Sequence, residues 1–122
     1  MPTVRPDPTQ LLPLKPDVFT ILLVLLDGER HGYGIMKEAS KRGGRSGQLQ
    51  PGALYRLLKQ MLEGELVEEL DRRKVPDNSD ERRRYYCITP FGRRVAAAEA
   101  QRMAELVAAS RERDLLEEGR LP

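Results

Sequence analysis

The stretch PGALYRLLKQMLEGELVEEL, residues 51–70, changes its hydrophobic period within a short span. Pro51 suits a first helical position, because a proline there loses no hydrogen bond, and Gln50 precedes it at the cap position. After Gly64, the segment 66–70 is short and apolar at its start, which favours a strand. Before Gly64, apolar residues recur at helical spacing. These residues are Leu54, Leu57, Leu58, Met61 and Leu62. The sequence therefore predicts a helix that ends near Gly64 and passes directly into a strand.

The other side of this predicted helix is small, basic and rich in hydrogen-bond donors. Its members are Gly52, Ala53, Tyr55, Arg56, Lys59 and Gln60. The small residues would let the helix N-terminus approach a phosphate, and we expect Arg56 and Gln60 to reach base edges. A solvated helix face is the ordinary interpretation of such residues, but the elements around this helix favour DNA binding.

Two more helices are predicted upstream. Residues 16–26 are apolar on nearly all sides, with Asp17 as the cap, and indicate a fully packed central helix. A second helix is expected over 33–41, with an inward apolar stripe, followed by a glycine-rich turn at 43–47. The stripe consists of Ile35, Met36 and Ala39.

Downstream, residues 85–88 predict a second strand, joined to the first by a polar connection over 71–84. Six cations lie at the two ends of this connection, three after the first strand and three before the second. They are Arg72, Arg73, Lys74, Arg82, Arg83 and Arg84. We expect this wing to contact phosphates, and the alternative is a hairpin kept soluble by mixed charge.

A last helix is predicted to begin at Thr89–Pro90 and to run to about Glu118. Its apolar stripe is narrow, as in a coiled-coil seam, and predicts a homodimer. The stripe consists of Ala96, Ala100, Met103, Leu106 and Val107.

Three helices followed by a hairpin is the order of a winged helix-turn-helix, in which the third helix enters the major groove of double-stranded DNA. The predicted fold class is therefore mainly α with a small β-hairpin, plus a C-terminal dimerisation helix. We expect a flexible N-terminal arm over 1–13, a DNA-binding domain over 14–89, and the dimerisation helix and tail over 90–122.

The composition limits other functions. The chain of 122 residues has a net charge of +2, so any DNA binding depends on where the cations lie. One Cys and one His exclude an intrachain disulfide and a four-ligand zinc site of these residues, and we expect a reduced, cytoplasmic setting. Cys87 is expected to be structural and His31 to make a local hydrogen bond. No segment is long and apolar enough for a membrane helix, and neither a signal peptide, a cofactor motif nor catalytic residues are evident.

Five motifs in order resemble the PadR-type transcriptional regulators. They are His31–Ile35 opening the second helix, Pro51–Arg56 opening the third, Leu66–Glu68 in the first strand, Arg84–Thr89 in the second, and Gly92–Arg93 after it. The resemblance covers the chain from about residue 14 to residue 94. The ordered set is highly specific for the family.

The resemblance implies a dimeric repressor of a pseudo-palindromic promoter site, released from DNA by a small-molecule or protein effector. It also implies that Tyr33, Tyr55 and the wing arginines lie near DNA. Two positions depart from the family pattern: Ala53 replaces a frequent Thr or Ser, and Glu65 stands where a Gly usually precedes the Leu-Val pair. The short C-terminal part and the lack of Trp argue against an aromatic-drug pocket.

Two other classes of function remain as alternatives. The first is a winged-helix module that uses its basic face for an acidic partner protein, and DNA binding that is lost steeply with salt and depends on site sequence would argue against it. A small enzyme would need a bound cofactor or a cluster of titrating groups, for which the sequence gives no support.

Overall fold

The structure, a computed structural model, describes residues 7–42, 49–70 and 84–116. A short 3-10 helix precedes four helices and three strands. In chain order the elements are the 3-10 helix Pro8–Leu11, α1 Pro16–Leu26, β1 Arg30–His31, α2 Gly32–Arg42, α3 Pro51–Glu63, β2 Val67–Glu69, β3 Tyr85–Ile88 and α4 Pro90–Glu112. The mainly helical fold with a small antiparallel sheet confirms the predicted fold class. The glycine-rich turn expected at 43–47 lies outside the described residues.

The sheet has three strands in the order β1-β3-β2, all antiparallel. His31 of β1 lies opposite Tyr85, and Val67 of β2 lies opposite Ile88. The predicted hairpin is confirmed as the β2-β3 pair, and β1, which was not predicted, pairs with the other edge of β3. Two residues carry no alternating pattern, and β1 forms only because the edge of β3 supplies the missing hydrogen-bond partners.

The core forms around α1, whose Ile21, Leu22 and Val24 are completely buried. Side chains from every other helix and from the sheet complete the cluster. They include Ile35, Ala39, Leu54, Leu58, Met61, Leu66, Val67, Tyr86, Ile88, Phe91 and Val95. Leu23 and Leu26, however, are exposed, so α1 is not packed on all sides as predicted.

Hydrogen bonds of Thr89 define the start of α4, and a residue in the left-handed conformation follows its end. The Thr89 hydroxyl accepts from the Gly92 N–H at 2.9 Å and donates to the Glu65 carbonyl at 2.6 Å, which confirms the predicted start. The helix ends at Glu112, where Asp114 has a positive φ of 62°, so the predicted end near Glu118 was wrong. The prediction of Asp17 as the cap of α1 was also wrong, since the cap is Lys15, two residues earlier, and Asp17 lies in the first turn.

The passage from α3 to β2 is a Schellman turn with an unusual residue in it. The Leu66 N–H bonds to the Met61 carbonyl at 2.9 Å, and the Glu65 N–H bonds to the Leu62 carbonyl at 3.1 Å. Glu65 has a φ of 61°, in the left-handed region where such turns usually carry glycine. Glu65, which stands where the family usually has a glycine, is therefore the left-handed residue of this turn.

Residues 7–14 are folded onto α4. Asp7 caps the 3-10 helix by accepting from the Thr9 N–H at 2.8 Å, and Leu11, Leu12 and Leu14 pack against the core. The part of the expected flexible arm that is described thus has regular structure, because its leucines find apolar partners. Residues 1–6 lie outside the described residues.

Glu99 is a buried carboxylate at the centre of this contact, with 2% of its surface exposed. Arg102 donates to it from Nε at 2.6 Å and from Nη2 at 3.0 Å, and the Leu14 N–H donates at 3.1 Å. These bonds, chiefly those from Arg102, lower the pKa of Glu99 against the effect of burial. The carboxylate therefore holds the N-terminal segment against α4.

Within the described part of the chain, no helix combines the length and apolar character needed to cross a membrane.

Candidate nucleic-acid interface

The outward face of α3 is exposed, as the helical spacing requires. Tyr55 has 49% of its surface exposed, while Leu54 and Leu58 on the inner face are buried. The other predicted contacts are Gln50, Gly52, Arg56, Lys59 and Gln60, all exposed, and Ala53, which is half-buried. No carboxylate occurs in α3 before its last residue. The face therefore presents hydroxyl, guanidinium and ammonium donors, and the carboxylate of its own helix, Glu63, lies one turn beyond Lys59.

Tyr33, at the start of α2, is 57% exposed. Lys37 and Lys41 follow one and two helical turns later, so they share its face, and both are exposed. The ammonium of Lys41 lies 3.3 Å from the Glu38 carboxylate, which partly offsets the positive charge of this face. Lys37 was not among the predicted contacts, although its spacing of four from Tyr33 was a usable signal.

The helix-turn-helix brings Tyr55 of α3 against the start of α2. A Cβ on Gly32 would lie 2.7 Å from Cζ and 2.9 Å from Cε1 of Tyr55, which is closer than atoms pack. A larger residue at position 32 would displace the end of the Tyr55 ring from this backbone. Tyr33 and Tyr55 consequently border the same part of the molecule.

Only one of the predicted wing cations is described. Arg84 is exposed and lies 3.5 Å from Glu69 across the β2-β3 pair, where the Leu70 N–H also bonds to the Tyr85 carbonyl at 2.8 Å. An exposed pair of this kind is weak and can be exchanged for a phosphate. The remaining wing residues, Arg72, Arg73, Lys74, Arg82 and Arg83, lie outside the described residues.

Gln60 differs in position from the other polar residues of α3. It borders an apolar groove of about 260 Å³ that also contacts Leu14, Val18 and Met61. This places Gln60 at the flank of the face that borders the N-terminal segment, whereas Tyr55 lies at the flank that borders α2.

The predicted dimerisation residues fall into two groups. Ala96 is only 4% exposed and belongs to the hydrophobic core of its own chain. Leu106 and Val107 are exposed, as is Ala100, and Met103 is half-buried. Leu115 and Leu116, beyond the helix end, add to the exposed apolar surface. The C-terminal half of α4 therefore carries apolar side chains that its own chain does not cover.

Cys87 is half-buried in β3. Burial raises the pKa of its thiol, and the charges of Glu68 and Glu29 raise it further. A thiol with a raised pKa is a poor nucleophile, which agrees with the structural role expected for it. In the described ranges, no group of three or more His, Cys, Asp or Glu residues is arranged to hold a metal ion.

The sequence matches the family model "Transcriptional regulator PadR-like family" over residues 21–98. It is 35% identical over 86 residues to an uncharacterized 37.1 kDa protein in transposon TN4556 of Streptomyces fradiae, a match to 70% of this chain but only 22% of that protein. It is 31% identical over 87 residues to protein X of Lysinibacillus sphaericus, covering 70% and 76% of the two chains.

The fold is similar to that of two solved structures. A PadR family transcription regulator of Clostridium difficile R20291 superposes with a TM-score of 0.67 at 20% identity, covering 80% of this chain and 97% of that one. A mutant of ZitR from Lactococcus lactis superposes with a TM-score of 0.61 at 19% identity, covering 86% and 64%. Both similarities concern the fold.

Proposed function

The chain belongs to the PadR-like family of transcriptional regulators, and on that premise we propose that it is a homodimeric repressor of a pseudo-palindromic promoter site. In this proposal α3 enters the major groove, the wing contacts phosphates, and a small-molecule or protein effector releases the DNA. The working division of the chain is a DNA-binding domain over 14–89 and a dimerisation helix and tail over 90–122. Such a protein acts in the cytoplasm and performs no catalysis.

The exposed face of α3 carries this proposal. Arg56 and Lys59 project from a helix whose inner residues Leu54, Leu58 and Met61 are fixed in the core, so the backbone behind them is rigid. A guanidinium on a rigid helix matches the two acceptors of a guanine edge in the major groove. An ammonium is better suited to a phosphate, because it acts as a compact point charge.

The exposed apolar residues of α4 support the dimer. Leu106 is 55% exposed and Val107 lies beside it, near the end of a helix that extends past its own core. Burial of this surface against a second copy removes apolar area from water. A dimer would then present two copies of α3 to half-sites about 34 Å apart.

The deciding experiment is an anisotropy titration of the purified protein with its own upstream promoter DNA and with scrambled DNA, at two salt concentrations. A specific repressor prefers the promoter by more than ~10³-fold. Equal, salt-sensitive binding to both DNAs contradicts a specific repressor. No binding at either salt favours the protein-interaction module instead.

Two variants separate base contact from phosphate contact. Arg56→Ala is expected to lose about 1–3 kcal/mol of promoter binding and to relax base preference. Lys59→Ala is expected to weaken all DNAs alike and to reduce the salt slope by about 1. Arg111→Ala, an exposed cation in the last turn of α4, is the control for charge removal. Equal effects of all three variants would contradict the assignment to α3.

A further inference from the structure

The dipeptide His31–Gly32 connects the sheet with the helix-turn-helix. β1 ends at His31 and α2 begins at Gly32, without an intervening loop. Because β1 pairs with β3, His31 lies opposite Tyr85, the first residue of the strand that leads out of the wing. A displacement of this dipeptide would therefore move the wing strand and the start of α2 together.

The His31 side chain makes contacts in three directions. Its Nδ1 accepts a hydrogen bond from the Gly34 N–H at 3.0 Å, which satisfies an otherwise free donor in the first turn of α2. Its ring meets the Tyr85 ring edge to face, with centroids 5.3 Å apart and an interplanar angle of 82°. It also stacks on the Tyr33 ring at 6.3 Å and 20°. The hydrogen bond confirms the local role expected for His31, and the two ring contacts extend that role.

Gly32 supplies the third tyrosine contact. The Tyr55 ring lies over it, in space that a Cβ would occupy. Three of the four tyrosines in the chain, Tyr33, Tyr55 and Tyr85, thus converge on one dipeptide. Two of them, Tyr33 and Tyr55, keep about half of their surface open to solvent.

We propose that His31 and Gly32 are positioning residues of the DNA interface, which hold Tyr33, Tyr55 and β3 in one arrangement. This inference rests on the proposed DNA-binding function. The physical reason is preorganisation: two tyrosines and a wing strand that are already fixed lose less conformational entropy when they contact DNA. His31 itself need not touch the DNA.

Two substitutions of His31 separate its contacts. His31→Asn retains a side-chain acceptor for the first turn of α2 but removes the ring, and His31→Phe retains the ring but removes the acceptor. For His31→Asn we expect a Tm within about 3 °C of the wild type and a promoter affinity about tenfold lower. Hydrogen exchange of the β3 amides should be faster in His31→Asn and unchanged in His31→Phe.

Val95→Ala is the control for general destabilisation, because Val95 is completely buried in α4. It should lower the Tm without changing the promoter affinity of the folded protein. Wild-type affinity and wild-type exchange in His31→Asn would overturn the proposal, as would lower affinity with unchanged exchange in β3. If the wild-type protein shows no promoter preference, the proposed function fails, while the exchange data still decide whether His31 couples β3 to α2.

Discussion

Replacement of Glu65 by glycine should make the protein more stable. Glu65 has a φ of 61°, and the left-handed conformation costs a residue with a Cβ about 1–2 kcal/mol. Glycine avoids this cost, although its greater conformational freedom in the unfolded chain lowers the free energy of unfolding by about 0.5–1 kcal/mol. The free energy of unfolding should therefore rise by about 0.5–1 kcal/mol, or a few degrees in Tm.

Glu65→Ala is the matched control, because it removes the carboxylate but keeps the Cβ. Both variants keep the two backbone bonds of the Schellman turn, from Leu66 to Met61 and from Glu65 to Leu62. Any contact of the carboxylate is lost equally in both, so the difference between them isolates the backbone conformation.

The assay is urea unfolding followed by circular dichroism, at one protein concentration because the stability of a dimer depends on concentration. A glycine variant no more stable than the alanine variant would refute the argument. It would mean that residue 65 does not carry left-handed strain in solution.

Three other changes test separate parts of the structure. Glu99→Gln should make the stability of the protein less dependent on pH in acid. The pKa of Glu99 is lowered in the folded state, so its carboxylate stabilises the fold above the unfolded pKa, and this stabilisation is lost as the pH falls through the folded pKa. Thermal melts below about pH 5 would detect the difference. Gly92→Ala should lower the free energy of unfolding by about 1–3 kcal/mol or more, because its Cβ would meet the Leu66 carbonyl and lie 2.9 Å from Ile88 Cγ1. Gly52→Ala is the control in the same melts and should not lower the stability, because a Cβ there meets nothing within 4 Å. Leu106→Glu should shift the protein from dimer to monomer in light scattering after gel filtration, and an unchanged mass would place the dimer surface elsewhere.

The candidate interface was predictable where the signals are local. The outward face of α3 follows from the spacing of Leu54, Leu58 and Met61, since a helix places residues three and four apart on one side. The spacing alone did not show that Gln60 lies beside the N-terminal segment, because that depends on which element packs against each flank of α3.

The sequence by itself determined the helices and their order. Proline at first positions, Thr89 as a cap and the two hydrophobic periods act within a few residues, so they can be recognised in the chain alone. The tertiary structure alone decided that β1 exists, that Glu99 is buried, and that Ala96 belongs to the core. Each of these depends on groups distant in sequence: β1 depends on the edge of β3, Glu99 on the Leu14 N–H, and Ala96 on the core cluster that the other elements complete. Burial and strand pairing arise from tertiary contacts between distant segments, and no local sequence pattern encodes such contacts.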